Sequence, residues 1–412
     1  YNNFLSENSG KLTVSFQVDA VGRVLAGMDK YINDNNFSSK AGVVLTLDNK
    51  IQKSTESALD NSNIRSGAAV IMKVHTGEIL AMASYPDYEV GLFYDGISSS
   101  KYNEYQNAGA FYNRAAQGTY PPGSIYKMVT AIAGLETEAV TVNEMINDNG
   151  PFYVTDDPSY TKHPKCWYFN SYGRGHGRLN VVGAIMKSCN YYFYEVSNRI
   201  GVETLGDFAR YFGFGKKTGI EISESVGVVP ERSLVERNWS KADTASASIG
   251  QGFDTATPVQ MAKYISMLAN GGHPIDLTLV KNVIKSNGTL VSQDELEKYE
   301  AKKLGREIKK TEDKNINPET INAIHEGMRS VAEEEGGTAY SVFEDFAIEL
   351  GGKTGSAEAG KNVNAWFTGF APYDNPEIAV AVVIEHGDQS SRATSVAKAV
   401  FDYYFESKEV AE

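Results

Sequence analysis

The chain has 412 residues, more than one ordinary domain needs, and with 42% hydrophobic and 22% charged residues it has the composition of a folded protein. A formal net charge of -13 excludes a nucleic-acid backbone as partner, because that binding draws on clustered Lys and Arg. No segment reaches the roughly 18 consecutive apolar residues of a membrane-spanning helix, and since the sequence opens on Tyr1 and not Met, an upstream segment is expected to precede it.

Residues 1–40 hold SENSGKLTVSFQVDAVGRVLAG and then the Asn-rich DKYINDNNFSSK, read as the remnant of another domain plus a linker. A main domain is expected over 41–412. It begins with the β-branched run AGVVLTLDNK and a helical pattern in IQKSTESALDN. GAAVIMKVHTGEILAMASYP then reads as two strands joined at His75-Thr76-Gly77, where Gly77 supplies the positive φ of a tight hairpin. From about 119 to 275 helix patterns alternate with Gly-containing loops. Strands return in FAIELGGKTGSAEAG, NAWFTGFAPY and EIAVAVVIEH, before the amphipathic SSRATSVAKAVFDYYFES. These patterns predict an α/β fold whose sheet is built from both ends of the domain around a helical insert. The charged stretch within 295–315 reads as a solvated excursion.

In TYPPGSIYKMVTAIAGLE, Pro121, Pro122 and Gly123 set up a sharp entry, which puts Ser124 at the first turn of a helix. Lys127, three residues on, shares its face. A serine is a poor nucleophile until a base takes its proton, and a lysine serves only if burial or nearby cations lower its pKa. Taken alone the pair also fits a helix cap and a surface lysine, and Ser98 with Lys101 repeats the spacing. In KSCNYYFYEV, Ser188 and Asn190 offer a hydroxyl and an amide for relaying a proton and holding a peptide carbonyl; Ser6 and Asn8 share that spacing. In ELGGKTGSAEAG, strand alternation directs Lys353 and Gly355 to one face, an ammonium for a carboxylate and a gap where an extended substrate lies. Lys217-Thr218-Gly219 is a rival that reads as a turn.

The order Ser-x-x-Lys, Ser-x-Asn, Lys-Thr-Gly on a helix start, a loop and a strand is specific. With the phrases GEILAMASYP, GHGRLNVVGAIMKSCNYYFYEV, ASIGQG, TPVQMA, GGTA and AWFTGFAP, it makes residues 41–405 resemble the transpeptidase domain of class B penicillin-binding proteins, which cross-link peptidoglycan. The resemblance implies the penicillin-binding protein and serine β-lactamase-like fold. It makes Ser124 the acylated nucleophile, Lys127 its base and Ser188 the proton shuttle. Asn190 would orient the donor stem peptide, Lys353 and Thr354 would bind its terminal carboxylate, and the N–H groups of Ser124 and Ser356 would form the oxyanion hole. Gly355 would leave room for the substrate strand, and Gln251 and Gly252 would border the cleft. It further implies inhibition by β-lactams, a membrane anchor and pedestal domain before Tyr1, an extracytoplasmic catalytic domain, and a glycosyltransferase that polymerises lipid II as neighbour.

Cys166 and Cys189 are the only cysteines. With Asp157 and either His163 or His176 they suffice for a closed zinc site, while a disulfide and two free thiols are the competing readings. Some class B penicillin-binding proteins bind zinc here, and the resemblance selects Asp157, Cys166, His176 and Cys189, with the long loop WYFNSYGRG keeping His163 open. A β-lactam sensor and a serine β-lactamase are the alternatives to a transpeptidase. The hydrolase needs a base for water, for which Glu231 and Glu236 in ERSLVERNW are the candidates weighed.

Overall fold

The computed structural model describes residues 5, 11–15, 31–35, 41–62, 64–94, 96–292, 294–296, 311–360 and 362–409. The chain divides into two units, Tyr1–Thr46 with Leu279–Lys310, and Leu47–Thr278 with Thr311–Glu412. In the smaller unit β1 (Lys11–Ser15) pairs antiparallel with β2 (Tyr31–Asn35). Likewise β3 (Gly42–Leu45) pairs with β8 (Val280–Ile284). Val280, Val283, Val291 and Leu296 cluster there with Val43. The boundary expected after residue 40 is corrected accordingly: β3 finds its partner far along the chain, so 41–46 and 279–310 belong with the small unit. Most of 1–40 and of the charged stretch within 295–315 lies outside the described residues.

In the larger unit, α1 (Asn49–Asn61) starts where Asp48 Oδ1 accepts from Lys50 N–H at 2.8 Å and Ile51 N–H at 3.1 Å, a regular N-cap. The expected hairpin follows as β4 (Gly67–Lys73) and β5 (Ile79–Tyr85), with Gly77 at φ 71° in the turn. At the other end, β9 (Gly351–Ala359), β10 (Asn362–Ala371) and β11 (Ile378–Ile384) complete one antiparallel sheet in the order β5-β4-β11-β10-β9. The predicted α/β architecture, with a sheet drawn from both ends of the domain, is what forms.

Every residue of β11 is buried, so both faces of the sheet are covered. One pair of helices, α5 (Pro258–Ala269) and α6 (Pro318–Glu333), touches the sheet and each other; α1 and α7 (Ser390–Glu409) do the same. The phrase TPVQ is a capping box, Thr257 Oγ1 accepting from Gln260 N–H while Gln260 Oε1 accepts from Thr257 N–H, with Pro258 at the first helical position. The rival motifs are ordinary turn chemistry. Ser98 caps α2 (Ser99–Ala108), on which Lys101 pairs with exposed Glu104. Thr218 and Gly219 are held by Glu224. Ser6 and Asn8 lie outside the described residues.

One core group opposes the fold. Asp254 is buried with neither carboxylate oxygen hydrogen-bonded to a described residue, and burial raises its pKa well above the ordinary value. A carboxyl with a raised folded pKa costs nothing below its unfolded value and costs stability as pH climbs above about 4. Asp254→Asn is therefore expected to raise Tm by more at pH 8 than at pH 4.5 in thermal melts; an equal shift at both would show that ionisation is not what costs.

Candidate active site

Ser124 does not open a regular α-helix, as the sequence suggested, but sits in a 3-10 turn, Gly123–Tyr126, that runs into α3 (Lys127–Glu136). Residues i and i+3 eclipse in a 3-10 turn, so Lys127 lies directly over Ser124, and its backbone N–H donates to the Ser124 carbonyl. The tight entry is built by glycines: Gly123 has φ 59° and donates its N–H to Gly250 O at 2.8 Å. A Cβ on Gly123 would lie 2.8 Å from Ser356 O, so the nucleophile turn is pressed against β9.

Lys127 is 0% exposed. Its Nζ donates to Ser188 O at 2.8 Å, Ser188 Oγ at 3.1 Å and Asn190 Oδ1 at 2.7 Å. Burial lowers its pKa to about 8. Lys353, equally buried, donates from Nζ to the same Ser188 Oγ at 2.9 Å and to Thr354 O at 2.9 Å. Burial, and then the charge of Lys127, push Lys353 well below the ordinary lysine value. Ser188 thus accepts from two lysines and keeps its own proton to give. It is held there in a left-handed conformation, φ 51°, uncommon for serine. Asn190 opens α4 (Asn190–Tyr211), and Trp167 Nε1 donates to Ser188 O at 3.0 Å, fixing the loop from the other side. Ser124 Oγ makes no hydrogen bond to a described residue.

These groups border a cleft of about 650 Å³ whose walls include Ser124, Ser188, Asn190, Gln251, Gly252 and Ser356. Lys127 and Lys353 lie beneath it. The role expected of Gly355 is corrected: a Cβ there would meet Trp366 Cβ at 3.0 Å, Ile125 Cγ2 at 3.1 Å and Pro122 O at 3.2 Å. Its bare backbone therefore makes room for the nucleophile turn, not for substrate. By the two-residue period of a strand the cleft face of β9 is instead Thr354, Ser356 and Glu358. Sequence reasoning also missed Thr338, in the phrase GGTA, whose Oγ1 is 2.6 Å from Thr354 Oγ1. Neither hydrolase candidate reaches the site: Glu231 pairs with Arg210 at 2.7 Å, and Glu236 is not among the residues lining the cleft.

Behind Ser188–Asn190 four buried or half-buried donors converge: Asp148, Cys166, His176 and Cys189. The sulfurs are 3.9 Å apart, within thiol hydrogen-bond reach but not joined in a disulfide. His176 Nδ1 is 3.4 Å from Cys166 Sγ and 3.1 Å from Asp148 Oδ2, which lies 3.5 Å from Cys189 Sγ. A tetrahedral cation with bonds of about 2.0–2.3 Å has donor–donor edges of about 3.3–3.8 Å; the four distances, 3.1 to 3.9 Å, come within a few tenths of an ångström of that range, and all four donor atoms lie within 4.8 Å of one another. The thiol of Cys166 is pulled down to about 4 by the hydrogen bond from Cys189, whose own pKa is pushed up by burial. The carboxylate is thus Asp148 and not Asp157. Asp148 ends β6 (Ile146–Asp148), which pairs with β7 (Gly177–Leu179) in the register Asp148↔Gly177, one residue from His176. Asp157 is exposed and turns its carboxylate onto Ser159. His163 packs between the Tyr153 and Tyr160 rings, away from the cluster.

Residues 67–405 match the penicillin binding protein transpeptidase domain. The chain belongs to that family. It is 35% identical, over 87% of its own length and 56% of the relative's, to the peptidoglycan D,D-transpeptidase MrdA of Haemophilus influenzae. It spans little more than half the length of that curated relative. The solved structure of Pseudomonas aeruginosa PBP2 in complex with WCK 5153 has 33% identity and a TM-score of 0.77, covering 88% of this chain and 76% of that one. A peptidoglycan synthase complex described as coordinating polymerisation and cross-linking has 28% identity and a TM-score of 0.75, covering 95% and 67%.

Proposed function

We propose that this penicillin-binding protein chain is a peptidoglycan D,D-transpeptidase. The observation that carries the reading is the buried Lys127, eclipsing Ser124 and bound to both Ser188 and Asn190. A neutral Lys127 takes the Ser124 proton as Oγ attacks the penultimate D-alanine carbonyl. The N–H groups of Ser124 and Ser356 stabilise the oxyanion, each worth about 3 kcal/mol of barrier. Ser188 passes a proton to the departing D-alanine amine and is resupplied through its lysine contacts. The acyl-enzyme is then attacked by an amine of a second stem peptide, restoring Ser124. Burial and the neighbouring Lys127 lower the pKa of Lys353, and an arriving terminal carboxylate favours its ammonium form and pairs with it. With Glu231 and Glu236 away from the cleft, aminolysis is favoured over the hydrolysis a β-lactamase performs. The test is release of D-alanine from a stem-peptide donor, with cross-linked product when acceptor is added; adduct formation with penicillin but no D-alanine release would favour the sensor reading.

Zinc is the cation we propose for Asp148, Cys166, His176 and Cys189. Bound, it would supply a structural cross-link and no reaction step, since all four positions are filled by protein. The residues themselves do the positioning: Cys166 Sγ accepts the Asn190 N–H at 3.2 Å, so the cluster fixes the start of α4. None of the described helices is long and apolar enough to cross a membrane. We propose an anchor and pedestal outside this sequence, a catalytic unit on the extracytoplasmic side, and a lipid II-polymerising glycosyltransferase as partner, a reading supported by the likeness to the synthase complex.

A further inference from the structure

The proposed reaction, on which this inference rests, brings a second stem peptide to the Ser124 ester by its amine, and that acceptor peptide also ends in a carboxylate. The donor occupies the β9 wall of the cleft at Thr354 and Ser356, so the acceptor needs another surface. A second hollow of about 510 Å³ adjoins the cleft and shares Trp167 and Thr338 with it. Trp167 is 39% exposed and its Nε1 donates to Ser188 O at 3.0 Å, so the indole joins the wall of the hollow to the loop of the proton shuttle. The walls carry two cations, Arg174 and Lys187, and no carboxylate. In a chain of net charge -13 this hollow is a local exception. Lys187 is half-buried and its Nζ donates to Gly336 O at 3.1 Å. A Cβ on Gly336 would lie 2.5 Å from that Nζ, so the glycine is what admits the ammonium. Arg174 is exposed, with Nη2 donating to Tyr168 Oη at 3.4 Å. Neither cation pairs with a carboxylate among the described residues. A partly buried ammonium held by one carbonyl has two protons and a charge still to place, which calls for an anion. We propose that Arg174 and Lys187 receive the C-terminal carboxylate of the acceptor stem peptide while its amine passes Trp167 to the ester. A guanidinium fork matches a carboxylate, whereas a carboxamide there offers one oxygen and no charge.

The test uses the protein as purified, with Nα,Nε-diacetyl-L-lysyl-D-alanyl-D-alanine as a donor that cannot accept. The acceptors are Nα-acetyl-L-lysyl-D-alanine, which lacks the scissile dipeptide, and its C-terminal carboxamide, with the same pair built on meso-diaminopimelate run alongside. Cross-linked product is expected to favour the free carboxylate by about threefold to tenfold in kcat/KM, carried by the acceptor KM, with the ratio shrinking in high salt. Arg174→Gln brings the ratio toward one, and Arg174→Glu turns the preference to the carboxamide. A wild-type ratio of one, or a ratio that neither substitution moves, overturns the proposal. So does a change confined to the donor KM, which would assign the hollow to the donor. Release of D-alanine with equal use of carboxylate and carboxamide acceptors sinks this inference alone, whereas release with no amine product from any acceptor sinks the transpeptidase reading beneath it.

Discussion

Lys127→Met is expected to slow acylation of Ser124 by penicillin by about 10²–10⁴-fold, the usual range for loss of a general base. Methionine keeps the bulk and removes the amine. Lys127→Arg is not expected to rescue the rate, because a guanidinium stays protonated. The same argument fixes a pH profile. Only neutral Lys127 accepts a proton, and with a pKa of about 8 roughly one molecule in ten is ready at pH 7. Acylation should rise about tenfold per pH unit below pH 7 and level off above pH 8, and stopped-flow acylation between pH 5.5 and 9.5 measures it. A flat profile, or a Lys127→Met protein that acylates normally, would mean that another group takes the proton. Lys353 is expected to behave differently: its loss should raise KM for carboxylate-bearing donors, since it lies beside Ser188 and meets the substrate carboxylate instead of the Ser124 hydroxyl.

The second large effect concerns the four-donor cluster. Purified protein is expected to carry one zinc per chain, and its two thiols should resist a thiol reagent until a strong chelator is added. Chelation or Cys189→Ser should lower Tm by about 5–10 °C, on a scale where 1 kcal/mol moves Tm by about 2–4 °C for a domain of 150–250 residues. Acylation should fall with it, because Cys166 holds the Asn190 N–H next to Ser188. Asp148→Asn should weaken metal retention while Asp157→Asn leaves it intact. Metal analysis finding no zinc, with melting indifferent to chelator, would leave two buried free thiols as the better description.

Much of this was legible in sequence. The hairpin at His75-Thr76-Gly77 and the returning apolar runs gave the sheet, because alternation and turn chemistry are local. The order of Ser124, Lys127, Ser188, Asn190 and Lys353 along the chain is distinctive enough to single them out in sequence, and in the structure the two lysines meet on the Ser188 hydroxyl. What was hidden depends on long-range register. In sequence Asp157 is the nearer carboxylate, and only the β6–β7 pairing puts Asp148 beside His176. The packing around Gly355 is invisible in sequence because alternation tells which residues share a face, not which face is packed. The domain boundary failed for the same reason: β3 pairs with β8, and nothing near residue 40 announces it.

The proposed reaction turns on the hydroxyl of Ser124, readied by an uncharged amine one turn away, becoming an ester. Intact mass of the purified chain after exposure to penicillin G, followed by peptide mapping, tests it directly. A gain of one intact penicillin is expected, since the ring opens without losing atoms, located on Ser124 and absent from Ser124→Ala. An unchanged mass, or an adduct that persists in Ser124→Ala, contradicts it.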